Sequence, residues 1–117
     1  MSTTTFTITV VSTASGNKYA IDGVQQARVY LSRGGTYRFD QADSSNDGHP
    51  LRLSITDNGT HGGGSEYTTG VTTNGTPGNS GAYTEITVAS DAPQLYYYCT
   101  NHSAMGGPAS VGDSDWG

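Results

Sequence analysis

The chain has 117 residues, with five basic and ten acidic side chains and a formal net charge of −5. That length suits one domain built on one core. The acid excess leaves no basic stripe to neutralise phosphates, which argues against nucleic acid and anionic membrane surfaces as partners, and no stretch approaches the ~20 apolar residues of a membrane span.

Hydrophobic residues make up only 32% of the chain, but they gather in short alternating runs instead of thinning out evenly. Eight tyrosines and abundant threonine favour strands, so the reading is a lean β domain and not a disordered one. Met1 to Val11, "MSTTTFTITVV", has neither a charged n-region nor a small-residue cleavage site, so no signal peptide is expected. The chain then acts where it is made, or is a mature or excised periplasmic, extracellular or viral domain.

In chain order, "TTTFTITVV" puts Phe6, Ile8 and Val10 on one face with threonines opposite. "KYAI" is a short strand ending at the turn Asp22-Gly23. "ARVYLS" alternates Val29 and Leu31 against Arg28 and Tyr30. After a turn at Gly34-Gly35, a further strand carries Tyr37 and Phe39. "QADSSNDG" reads as a polar loop. In "HPLRLSIT", His49, Leu51, Leu53 and Ile55 share one parity. The polar segment 57–81 is too long for pure coil, so one irregular strand or hairpin is expected around "SEYTTGV". "YTEITV" and "LYYYC" complete the set, the latter with Leu95, Tyr97 and Cys99 on one face. About seven short strands with Gly-rich turns predict an all-β fold, an antiparallel Greek-key sandwich or barrel. Residues 1–110 form the domain and 111–117 a loosely attached tail.

Two strands end in residues that carry chemistry. His49 starts a strand whose inward face is apolar. Cys99, the only cysteine, ends another, and the loop after it offers His102 and Met105. Thiolate, two imidazoles and a thioether brought to one end of a sandwich suit copper: a trigonal His₂Cys set with a long axial Met. Zinc accepts the same ligands, but its structural sites favour more cysteines. One cysteine cannot hold an iron–sulfur cluster. Taken singly, each residue also has a plain reading. Cys99 fits a buried thiol, Met105 core packing, and His49 a hydrogen-bonded histidine at a strand end.

The constellation His49 … Cys99-x-x-His102-x-x-Met105 resembles the type 1 copper motif of the cupredoxin family, with a short plastocyanin- or amicyanin-like ligand loop. The stretch "TYRFDQADSSNDGHPLRLS" is similar to the family's strand, Asn-containing loop and first ligand. Motif-level likeness covers residues 36–107. The Gly-rich segment and the "YYYCTNHS" loop also resemble cupredoxin-like domains of marine bacterial and phage proteins. The resemblance implies one bound copper held by His49, Cys99, His102 and Met105, and one-electron transfer without bond-making chemistry, hence no enzyme. It also implies a redox partner protein docking near the His102 edge, where Ser103, Ala104, Gly106, Gly107 and Pro108 make a small-residue patch. Two other uses of the fold stay open: a structural module, for example in a viral particle, and copper storage or delivery.

One departure from the family pattern matters. The residue after the first ligand His is usually an Asn whose N–H bonds the copper thiolate, and here it is Pro50, which has no N–H. Asn101 is the expected replacement donor, through its backbone N–H. His61, in "GTHGGG", reads as an exposed loop histidine and Tyr96 and Tyr98 as strand packing. No nucleophile elbow, H-E-x-x-H or phosphate loop is present.

Overall fold

The computed structural model describes residues 3–113. The architecture is all-β, with eleven strands in two sheets and no α-helix among the described residues. Among the described residues no helix is long and apolar enough to cross a membrane. The first sheet contains β1 (Thr3–Thr13), β2 (Gly16–Ile21), β3 (Val24–Gln25), β5 (Thr36–Asp40), β8 (Val71–Asn74) and β9 (Tyr83–Thr87), in the order β3-β2-β1-β5-β9-β8. The second contains β4 (Val29–Ser32), β6 (Leu51–Ser54), β7 (Glu66–Tyr67), β10 (Leu95–Cys99) and β11 (Gly107–Gly112), in the order β4-β11-β10-β6-β7.

Both sheets are mixed, which corrects the expectation of antiparallel pairing throughout. The pairs β1–β5 and β4–β11 are parallel. Each parallel pair joins strands far apart in sequence, so no tight hairpin dictates their direction. β11 runs through Val111, 3% exposed, and Gly112, so the first two residues assigned to a tail belong to the sheet. Residues 114–117 lie outside the described residues.

The core lies between the sheets. Ile8, Tyr19, Ile21, Phe39 and Ile86 from the first meet Val29, Leu31, Leu51, Leu53, Leu95, Tyr97 and Cys99 from the second. Period-two alternation explains these positions, because each sheet turns one face inward. Ile55 and Tyr98 are among the residues that depart from it. β6 ends at Ser54, whose hydroxyl donates to the Ser65 carbonyl at 2.7 Å, and the next residue, Ile55, is 58% exposed despite its parity. Tyr98 points away from the core yet is buried, because the 3-10 turn Gly59–Gly62 covers its ring.

Burial raises the phenol pKa values of Tyr19 and Tyr97, with the Cys99 thiol adding to the rise at Tyr19. The folded state therefore keeps protons that the unfolded chain releases above about pH 10. This stabilisation is whole below that pH and declines as pH rises. In urea titrations of the metal-free protein, stability should fall above about pH 10 by up to ~1.4 kcal/mol per pH unit for each tyrosine. Tyr97→Phe should make that slope shallower. An unchanged slope would remove Tyr97 as its source.

Candidate metal centre

His49 stands just before β6, and its backbone is fixed from both sides. Its N–H donates to the Asn46 carbonyl at 2.8 Å. Its own carbonyl accepts the Tyr19 hydroxyl at 2.6 Å and Gln41 Nε2 at 2.7 Å. Gln41 also donates to Asn46 Oδ1 at 3.1 Å, and its Oε1 accepts the Leu51 N–H at 3.0 Å. Asn46 closes the network by donating to the Ile8 carbonyl at 2.8 Å. Tyr19, Gln41 and Asn46 are all buried, so these bonds form away from competing water. The 3-10 turn Ser44–Asn46, capped by Asp43, presents Asn46 to this network.

Cys99 ends β10 opposite Leu51 of β6, with its side chain fully buried. The pairing continues beyond the strands: Thr100 N–H donates to the Pro50 carbonyl at 3.1 Å and Asn101 Nδ2 to the Gly48 carbonyl at 3.0 Å. The two segments that carry His49 and Cys99 are thereby tied side by side. Asn101 acts through its side chain. No hydrogen bond from its backbone N–H to Cys99 Sγ occurs among the described residues, which corrects the role expected of it.

The rest of the loop after Cys99 is held from two directions. Asn58, itself left-handed with φ of 63°, accepts the Ala104 N–H at 2.8 Å and donates to Ser103 Oγ at 2.9 Å. On the other side, Lys18 Nζ and Gln26 Nε2 donate to the Ala104 carbonyl at 2.8 and 3.2 Å, and Gln26 reaches the Gly106 carbonyl at 2.9 Å. Tyr19 N–H donates to the Met105 carbonyl at 2.9 Å. Gly106 packs so closely on β10 that a Cβ there would overlap the Tyr97 carbonyl. Glycine is therefore required directly after Met105.

These constraints bring three donor side chains together. Cys99 Sγ lies 3.7 Å from His49 Nδ1 and 3.7 Å from His102 Nδ1, and the imidazole centroids are 4.6 Å apart. All three donor atoms fall within 4.8 Å of one another. A nitrogen and a sulfur sharing one ion at ~2.0 and ~2.3 Å stand roughly 3.5–3.8 Å apart. The spacing therefore fits a common metal ion. His49 is only 8% exposed, and burial, with His102 beside it, lowers its pKa. The neutral imidazole so favoured is the form that ligates metals. His102 is exposed, so with Nδ1 turned to the sulfur the outer part of its ring meets solvent. Met105 is 1% exposed, three residues beyond His102 and in the same core cluster as Cys99.

His61 is exposed as expected, but it is not a bystander. Its Nε2 lies 2.8 Å from the Cys99 carbonyl, and its ring meets Tyr98 edge-on at 81°. Sequence reading also missed Tyr19, Gln41, Asn46 and Asn58 as supports of the site. One signal was available for Gln41: it continues the inward parity of Tyr37 and Phe39. The search for relatives found no matching family model, curated protein or solved structure.

Proposed function

We propose that the chain is a cupredoxin-like type 1 copper protein that carries single electrons. One observation carries this reading: the buried Cys99 sulfur faces the Nδ1 atoms of two histidines, each at 3.7 Å. Thiolate with two imidazoles, and a buried thioether three residues on, is the donor set that copper favours. Bound copper would supply a one-electron couple between Cu(II) and Cu(I). His49, Cys99 and His102 would hold it, with Met105 as the weak fourth donor. The two-sheet core, with His49 just before β6 and Cys99 at the end of its neighbour β10, accords with a Greek-key cupredoxin arrangement.

The residues of the chain have separable tasks. Tyr19, Gln41 and Asn46 fix the His49 backbone, and the Asn101–Gly48 and Thr100–Pro50 bonds keep the ligand segments in register. Held in this way, the donors need little rearrangement when charge changes, which favours fast electron exchange. Apolar residues close the inner side and exclude water. The His102 edge, with exposed Ser103 and Ala104 beside it, is the surface for a redox partner protein.

Titrating the purified metal-free protein with Cu(II) tests the reading. An intense visible thiolate-to-copper band saturating at one ion per chain, with a reversible one-electron wave, is expected. A colourless, redox-silent protein would instead favour a structural module. Tight Cu(I) uptake with release to an acceptor, and no reversible wave, would favour storage or delivery.

A further inference from the structure

The segment after β6 is shaped to bring one histidine onto the backbone of Cys99. Asn58 takes a left-handed conformation, and the 3-10 turn Gly59–Gly62 follows, with the Gly64 N–H returning to the Gly59 carbonyl at 3.0 Å. Three glycines let the turn lie flush against its surroundings. A Cβ at Gly59 would enter the Tyr98 ring, one at Gly62 the Asp57 carbonyl, and one at Gly64 the Thr56 side chain. The same segment reaches the ligand loop through Asn58, which bonds Ser103 and Ala104. The result is an exposed His61 whose Nε2 sits 2.8 Å from the Cys99 carbonyl. A carbonyl only accepts, so Nε2 donates the proton in this bond, and Nδ1 is not engaged by it.

We infer that His61 is a second electron port, coupled to the Cys99 sulfur through that residue's own carbonyl. The route runs from Sγ through Cβ, Cα and the carbonyl group, then across one hydrogen bond to an exposed aromatic ring. It leaves the ligand through its backbone, whereas the His102 edge is reached through the ligand ring itself. Two ports let a one-electron donor protein and a one-electron acceptor protein use different surfaces. The step moves one electron from a reduced carrier to the oxidised site, with no bond made or broken and no proton transferred. This inference rests on the copper reading above.

The test begins with copper-loaded protein showing the visible band; its absence would sink the copper reading itself. A ruthenium ammine is then attached to His61 through Nδ1. In a comparison protein, His61→Gln with Thr60→His puts the label one residue away. At matched driving force, intramolecular electron transfer from His61 should be at least ten-fold faster. Equal rates would overturn the port. A second readout needs no rate: with ¹⁵N-labelled histidine, pulsed EPR of the Cu(II) form should show a weak nitrogen coupling beyond the coordinated and remote nitrogens of the two ligand histidines, and His61→Gln should remove it. A spectrum with only the two ligand histidines would overturn it as well.

Discussion

Cys99→Ser should lose the visible charge-transfer band entirely while the protein still folds. The band requires a thiolate, and serine offers a hydroxyl that stays protonated at neutral pH and binds soft metals poorly. Changes to residues behind a ligand typically weaken metal binding 10–100-fold, so loss of the ligand itself should weaken copper by more than ~100-fold. The fold should survive because the exchange is nearly isosteric, although Cys99 is fully buried among apolar neighbours. A cost of about 1–2 kcal/mol in metal-free stability is expected for placing a hydroxyl there. Circular dichroism and urea unfolding establish the fold, and absorption with competitive chelator titration reads the site. A surviving band would mean that the sulfur is not the ligand and that the His49–Cys99–His102 cluster has been misread.

The strand pattern was legible because each sheet buries one face. Ile8, Val29, Leu31, Phe39, Leu51, Leu53, Leu95, Tyr97 and Cys99 all turn inward as alternation requires. Direction of pairing was not legible. The partners of β1 and β4 are chosen by the packing of the whole molecule, and nothing within either strand marks them as half of a parallel pair. Ile55 failed for a local reason, since the strand stops one residue earlier when Ser54 bonds Ser65. Tyr98 failed because its cover comes from a separate glycine-rich turn.

The cluster itself was legible for a chemical reason. Few residue types ligate metals, and three of the four candidates lie within seven residues. The bracing was hidden because its bonds join distant positions: Lys18 to Ala104 spans 86 residues and Gln26 to Ala104 spans 78. A polar run such as "QADSSNDG" looks the same whether its side chains face water or a buried carbonyl. Asn101 shows the converse. The loss of an N–H at Pro50 was readable, but how the chain responds was not. Asn101 bonds the backbone beside His49 through its side chain, at the Gly48 carbonyl.

The largest loss of stability away from the ligands should come from Gln41→Ala. Gln41 is 1% exposed and serves three partners: the His49 carbonyl, the Asn46 side chain and the Leu51 N–H. Pro50 increases its importance, because the chain around the first histidine is already short of one donor. Truncation leaves the Leu51 N–H and Asn46 Oδ1 without these partners, at about 1–3 kcal/mol for each buried polar group. It also opens a cavity. The expected total is about 3–5 kcal/mol in urea unfolding of the metal-free protein. The His49 carbonyl would then be held by Tyr19 alone, so a 10–100-fold loss of copper affinity should accompany the loss of stability. Gln41→Glu should rescue little, since a carboxylate accepts from Leu51 but has no proton for His49 or Asn46. If Gln41→Ala costs less than about 1 kcal/mol, water has taken over the vacated bonds. The buried network would then not be what holds His49 beside the sulfur.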